Sequence, residues 1–113
     1  LARRRSTWLT RLFDSSVVWR EPDGKCARLI VIEKGEIALS GAVDANASPP
    51  IPRGYCRPVA ARHEAFTLAS FDRLRVLTTE LKRLIAAGAP VALRLGVGPA
   101  LDESRLASAL WWV

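Results

Sequence analysis

Methionine is absent from this 113-residue sequence, and histidine and cysteine are scarce. A translated protein normally begins with methionine, so we expect a chain that starts at Leu1 to be a fragment of a longer protein. Two cysteines, Cys26 and Cys56, do not make a disulfide framework. With the single histidine, His63, they are three scattered residues, short of the four closely spaced ligands of a structural zinc site. We therefore predict free thiols, no bound metal and no cofactor.

Long hydrophobic runs are also missing. No apolar run approaches the length of about 18 residues that a transmembrane helix requires. The basic residues 3–5 are followed by a stretch that Thr10, Arg11 and Asp14 interrupt, which is unlike a signal peptide. Free thiols are typical of the cytosol. The sequence thus predicts a cytoplasmic protein without a membrane partner.

The sequence offers no convincing catalytic constellation. A cysteine nucleophile needs a base within hydrogen-bond reach, and nothing in the sequence orients His63 toward Cys56 or surrounds Cys56 with a family signature. Residues 96–99 (GVGP) follow a predicted strand, but they lack the third glycine and the lysine of phosphate-binding loops. They are more typical of a strand-to-helix turn. We predict no catalytic activity in these residues.

What is present is a strongly amphipathic stretch, residues 70–88 (SFDRLRVLTTELKRLIAAG). Its apolar positions are Phe71, Leu74, Leu77, Leu81, Leu84 and Ile85. At 100° per residue they cover roughly 140° of a helix face. Ser70 suits the N-cap, Asp72 suits the first turn, and Gly88 with Pro90 beyond it suits the end. The pattern predicts a helix that packs on the core.

The remaining segments predict a small sheet and two further helices. Residues 17–43 read as a three-stranded antiparallel meander, with a turn over residues 21–25 (EPDGK) and a two-residue hairpin at Lys34 and Gly35. Residues 91–97 alternate as a strand that joins this sheet. Asp102 suits the N-cap of a last helix. We therefore predict an α+β fold, a small antiparallel meander sheet of about four strands packed against two or three helices.

This fold fits a single domain over residues 1–113. Its predicted segments are a helix or linker helix over 1–14, the meander over 17–43, an irregular loop over 44–68 and a helix–strand–helix unit over 70–113. The loop contains Pro49, Pro50, Pro52 and Pro58 and no clear period, and irregular connections this long are often functional or disordered.

The formal net charge is +6, and fourteen of the seventeen basic residues are arginine. A basic balance favours a polyanionic partner such as nucleic acid, and arginine suits bidentate phosphate contacts. A solvated surface and a GC-rich genome explain the same composition. Both explanations stay open at this point.

The irregular loop is the first candidate for nucleic-acid contact. Between residues 45 and 63 it holds Arg53, Arg57 and Arg62 with Tyr55 and no acidic residue, a composition found where proteins bind single strands. The alternative is a proline-stiffened loop that wraps the domain. The charged back of the 70–88 helix is the second candidate. The predicted nucleic-acid-binding residues are Arg53, Tyr55, Arg57, Arg62, Arg75, Lys82 and Arg83.

The adjacent tryptophans near the end of the chain support a different function. Trp111 and Trp112 lie about 100° apart on a helix, so they do not both point into one core. Together with Trp8 they fit a protein–protein interaction or dimerisation module, whose partner is a preceding domain or a second copy of the chain. A salt titration of nucleic-acid binding separates this alternative from the first.

Three runs, LIVIEKGEIALSGAV, FDRLRVLTTELKRL and PVALRLG, occur in the order that resembles the region after the GIY-YIG nuclease domain of bacterial excinuclease-subunit-C-like proteins. Some of those proteins are fused to a DnaQ-like exonuclease. The resemblance covers roughly residues 17–95, and the nuclease motif itself is absent, so no catalytic residue carries over. It implies a non-catalytic, nucleic-acid-contacting accessory domain of a bacterial DNA-repair or DNA-processing protein, with DNA favoured over RNA.

Overall fold

The computed structural model of the protein describes residues 2–52, 54–60 and 67–110, and of residues 2–6 the backbone only. The elements along the chain are α1 (Ala2–Leu12), β1 (Ser15–Asp23), β2 (Cys26–Glu33), β3 (Glu36–Val43), α2 (Leu68–Ala86), β4 (Val91–Leu95), β5 (Ala100–Leu101) and α3 (Glu103–Leu110). The strands form one antiparallel sheet in the order β3–β2–β1–β4–β5. The predicted α+β fold is confirmed, with five strands where the sequence indicated about four.

The meander is confirmed, and its first turn is tighter than the sequence predicted. β1 and β2 pair as far as Asp23 and Cys26, which leaves a two-residue turn in which Gly24 has a φ of 61°. Pro22 belongs to β1 rather than to the turn. β4 pairs with β1 only as far as Trp19, so Pro22 lies where one side of β1 has no neighbour and a missing N–H is tolerated.

The second hairpin has the predicted two-residue turn. Lys34 and Gly35 have φ values of 55° and 77°, the pair of positive angles that a type I′ turn requires. Glu33 and Glu36 face each other across it. Arg57 pairs with Glu33 and Arg73 with Glu36, so the two like charges at the tip are each compensated.

Replacing Gly35 by valine should destabilise the protein by more than about 1 kcal/mol, because a side chain is strained at this positive φ. A Cβ at this position would also lie 3.3 Å from Leu74 Cδ2, whereas one at Gly24 would meet nothing within 4 Å. Urea denaturation of Gly35→Val and of the control Gly24→Val separates backbone strain from this contact. A Gly35→Val protein as stable as the wild type would contradict the prediction.

Helix α2 begins earlier than predicted. Thr67 is the N-cap, with extended backbone angles, and its Oγ1 accepts a hydrogen bond from the Ser70 N–H at 3.2 Å. The Ser70 cap was therefore wrong: the apolar period starts at Phe71, but the threonine three positions before Ser70 caps the helix and buries Ser70 inside it. Asp72 consequently lies beyond the first turn. The end is as predicted, with Gly88 at a φ of 71°.

The three helices all pack on one face of the sheet. Their shared core consists of Trp8, Leu9, Leu12, Phe13, Val17, Trp19, Leu74, Leu77, Leu81, Leu84, Val91, Leu93, Leu106 and Leu110. The apolar face predicted for α2 is confirmed, since its four leucines are buried and Phe71 and Ile85 are partly buried against the same core. Helix and sheet each bury one apolar face in this way, which is the usual two-layer arrangement.

The opposite face of the sheet is covered by the irregular segment instead. Val18, Leu29 and Val31 alternate with the helix-facing residues of their strands, and they form a second cluster with Cys56, against which Ile51 packs. The described parts of the loop, residues 44–52 and 54–60, contain no helix or strand. The loop thus wraps the domain as a third layer.

The end of the chain follows the prediction with one addition. β4 joins the sheet as expected, where it pairs with β1, and β5 adds a two-residue edge strand too short to show a period. Asp102 caps α3, since its Oδ1 accepts the Arg105 N–H at 3.0 Å. None of the helices in the described residues has the length and apolar character to cross a bilayer.

Candidate nucleic-acid interface and neighbouring clefts

The charge of the protein is distributed by layer. The three helices carry nine of the seventeen basic residues and three of the eleven acidic ones, so their net charge of +6 equals that of the whole chain. The rest of the sequence, including all five strands and the long loop, is neutral as a set. By residue count the positive excess therefore falls within the three helices, half of it at Arg3, Arg4 and Arg5, whose side chains lie outside the description.

Helices α1 and α2 lie side by side in that layer. The Trp8 indole N–H donates to Thr78 Oγ1 at 2.9 Å, and the same hydroxyl donates to the Leu74 carbonyl at 2.8 Å. Trp8 is only 4 % exposed. The expectation that Trp8 is an anchor for a partner is therefore wrong, because its ring fills the contact between the two helices.

The predicted basic residues of α2 are all exposed, and they differ in their partners. The Arg75 guanidinium lies 5.8 Å from the centre of the Phe71 ring, and no carboxylate of the described residues pairs with it. Arg83 pairs with Glu80, which raises the pKa of Arg83 and lowers that of Glu80. A phosphate at Arg83 would compete with that carboxylate, whereas Arg75 is open to one.

The sequence-based prediction left out Arg73 on α2, which pairs with Glu36, and basic residues on the other two helices. Arg11 on α1 and Arg105 on α3 are exposed. The prediction considered contiguous stretches only, and these residues belong to elements that come together only on packing. Counting charge by predicted helix would have found both.

Two loop residues of the predicted site, Tyr55 and Arg57, lie on the other side of the sheet from α2. Arg57 is exposed and pairs with Glu33, which raises its pKa. Tyr55 is partly buried against the cluster around Val31, so most of its ring is engaged in packing. Arg53 and Arg62 lie outside the described residues. Arg57 and Tyr55 thus approach the sheet from the loop side, and α2 packs on the helix side. At the hairpin tip the two sides meet facing glutamates, since Arg57 pairs with Glu33 and Arg73 of α2 pairs with Glu36.

Arg20 is a basic residue that no sequence pattern singles out. It is 8 % exposed, and its guanidinium binds the loop rather than solvent. Nη2 donates to the carbonyls of Asp44 at 2.9 Å and of Ala45, and Nη1 donates to the carbonyl of Ala47 at 3.0 Å. One buried arginine thus holds the beginning of the loop against the sheet.

The second described part of the loop, residues 54–60, is held by a backbone hydrogen bond. The Val59 N–H donates to the Gly96 carbonyl at 2.9 Å. Gly96 and Gly98 in turn donate their N–H groups to the carbonyls of Asp14 and Leu95. These two donors are occupied within the fold, so the 96–99 turn connects β4 to β5 with its glycine N–H groups engaged.

A cleft of about 550 Å³ opens between the loop and β4, and Cys56 and Arg94 line it. The Cys56 thiol is buried and donates to the Ser16 carbonyl at 3.4 Å. Burial raises the pKa of this thiol, although the Ser16 contact and the Arg94 charge oppose the shift. A thiol kept protonated is a poor nucleophile. His63 lies outside the described residues, so the structure describes only the Cys56 half of the possible Cys56–His63 pair.

The other cysteine, Cys26, is exposed, and both thiols are free. No group of three or more potential metal ligands occurs among the residues that the structure describes. Trp111 and Trp112 fall beyond the last described residue, so their role as a partner anchor stays a prediction. Comparison with family models finds no match, and neither curated proteins nor solved structures show a similar chain.

Proposed function

We propose that this domain contacts the phosphates of nucleic acid through its helical layer, as a non-catalytic accessory domain of a DNA-processing protein. The observation that supports it is the segregation of charge: the helices carry the whole net charge of +6, and they share one face of the sheet. A surface of one sign concentrates polyanions and steers their approach. Phosphate contacts of this kind supply affinity without sequence preference.

Helix α2 is the centre of the proposed surface. Arg75 and Lys82 are seven residues apart, two turns of helix, so they follow one side of α2 at a spacing of about 10 Å. Arg83 is next to Lys82 in the sequence, and α1 contacts the middle of α2 through Trp8 and Thr78. We expect Arg75 to contribute most. Its guanidinium has no ion pair with a carboxylate of the described residues, so none has to break when a phosphate binds.

The assignment to a DNA-processing protein draws on the resemblance of the sequence to the region after the GIY-YIG domain. The segments that carry this resemblance correspond to β2–β3, α2 and β4. These elements carry no cluster of catalytic groups in their described residues. A domain of this composition serves to hold nucleic acid for chemistry performed elsewhere.

Replacing Arg75, Lys82 and Arg83 together by alanine should weaken binding to all sequences alike and flatten its salt dependence. For every phosphate that the variant no longer neutralises, the slope of log K against log salt should fall by about 0.9 on duplex DNA. The measurement is fluorescence anisotropy with labelled single- and double-stranded oligonucleotides, at salt concentrations between about 50 and 200 mM.

The matched control is the triple variant Arg53→Ala, Arg57→Ala and Arg62→Ala, which removes the same charge from the loop. We expect this variant to keep most of the affinity and the slope. Absence of binding at the lower salt would overturn the proposed function. Equal losses of affinity in the two triple variants would show that net charge alone, and not the helical layer, decides binding.

A further inference from the structure

Strand β3 is an edge strand whose protection, among the described residues, is a single register shift near its start. It is the last strand of the sheet on its side, and residues 37–43 (IALSGAV) contain no charge and no proline. Natural proteins guard such edges with lysine, proline, a bulge or a covering segment. β3 has a register shift opposite Val31 and Ile32, but Leu39 to Val43 pair regularly with β2. Five residues of unprotected edge remain.

Apolar side chains are exposed on both faces of this edge. Ile37 pairs with Ile32 on the helix side and is 71 % exposed, and Leu39 pairs with Val31 on the loop side and is 50 % exposed. On α2, Val76 is 70 % exposed and borders a groove of about 420 Å³ that Ile32 also lines. Two of the five exposed large apolar residues in the described chain thus belong to β3, and a third, Val76, borders the groove beside its neighbour Ile32.

We propose that β3 pairs with β3 of a second copy of this chain, antiparallel and about a two-fold axis at Gly41. Such self-pairing is the isologous contact of a closed dimer. It brings Leu39 opposite Val43 of the second copy, and by symmetry Val43 opposite Leu39. Both residues lie on the loop side of the sheet, so the pairing places apolar side chains together twice.

The lack of charge along residues 37–43 favours a second copy of the chain as the strand that pairs with β3. An edge that binds an acidic or basic partner strand would carry the opposite charge, and residues 37–43 carry none. The one charged residue of β3, Glu36, lies at its start and is paired with Arg73 at 2.9 Å. Two copies therefore meet without like charges in the paired segment. This matters because the net positive charge of the chain otherwise repels a second copy.

The size of the contact sets its strength. Five residues from each strand are few beside the roughly 20–30 residues a side of a stable interface. The dimer should therefore be weak and concentration-dependent. We expect a Kd of about 10 to 100 μM, weaker than the roughly micromolar and tighter range of specific complexes. This inference is independent of nucleic-acid binding, because β3 is not part of the basic helical layer.

Sedimentation equilibrium between about 1 and 500 μM brackets that Kd and tests the dimer. The wild-type chain should pass from monomer to dimer and stop there. Leu39→Lys should stay monomeric, since it places a charge at the edge while the side chain is exposed enough to leave the fold intact. The control Val97→Lys changes an equally apolar residue, 80 % exposed, in the turn after β4, and should dimerise as the wild type does.

A cross-link tests the register. Residues opposite each other in an antiparallel pair have Cα atoms about 4.5–5.5 Å apart, within the range of a disulfide. In a Cys26→Ser background, Gly41→Cys should therefore form a covalent dimer on mild oxidation, and Ala38→Cys, at the irregular position, should not. The buried Cys56 does not compete.

Four results would overturn the proposal: a monomer at every concentration, a dimer that Leu39→Lys preserves, growth beyond the dimer, or a cross-link at Ala38 in place of Gly41. Circular dichroism of each variant confirms that its fold is retained, so that a loss of dimer is not a loss of structure.

Discussion

Replacing Leu81 by alanine should lower the free energy of unfolding by about 2–5 kcal/mol, the range for truncating a buried leucine. Leu81 is 0 % exposed, at the centre of α2, within the core that all three helices share with the sheet. The truncation removes apolar area from that core and leaves a cavity that surrounding side chains fill only in part. Urea denaturation followed by circular dichroism measures the change.

The matched control lies on the same helix. Val76 is 70 % exposed, so Val76→Ala removes apolar atoms that already contact water and should change stability by less than about 0.5 kcal/mol. A denaturation midpoint that Leu81→Ala leaves unchanged would mean that α2 does not form the core. Equal effects of the two substitutions would show that burial in the core does not decide the loss, since alanine is the best helix former and neither change lowers helix propensity.

Replacing Arg20 by alanine should cost about 2–3 kcal/mol and loosen the loop. The substitution leaves the carbonyls of Asp44, Ala45 and Ala47 without their shared donor, and a buried acceptor without a partner costs about 1–3 kcal/mol. Water entering beside the loop should hydrate some of these carbonyls. The total cost should therefore stay below the sum of three full penalties, one for each carbonyl. Denaturation in urea gives the stability change.

The Cys56 thiol provides a second, local measurement of the same event. Cys56 belongs to the loop and is buried against the sheet, so freeing the loop should increase the rate at which a thiol reagent modifies Cys56, measured in a Cys26→Ser background. The control is Arg28→Ala, because Arg28 pairs with Asp23 at a partly exposed site where an ion pair is worth about 0–1 kcal/mol. Slow modification of Cys56 in Arg20→Ala would show that the loop is held by other contacts.

Most of the secondary structure was predictable because its causes are local. The spacing of the leucines in α2, the alternation in the three meander strands and the turn at Lys34 and Gly35 are properties of contiguous residues. They follow from the helical and extended periods and from the positive φ of a tight hairpin. Where a local signal had two solutions, as for Thr67 and Ser70 at the start of α2, the predicted cap was wrong.

The candidate site was less predictable, because it depends on which elements meet. The basic residues of α2 were predicted from the sequence, and the structure exposes them. No sequence pattern indicated that the loop with Arg57 covers the opposite face, nor that Arg20 binds carbonyls 24 or more residues away. Such contacts join positions whose separation carries no periodic signal.

The sequence by itself determined the α+β class, the amphipathic helix, the meander and the excess of positive charge. Each of these follows from residue type and from spacing within one segment. Only the tertiary structure decided where that charge lies, which edge of the sheet stays open and which face the loop covers. Which elements share a layer and which strand lies at an edge depend on how all apolar faces are buried together. The sequence of a single segment therefore does not indicate them.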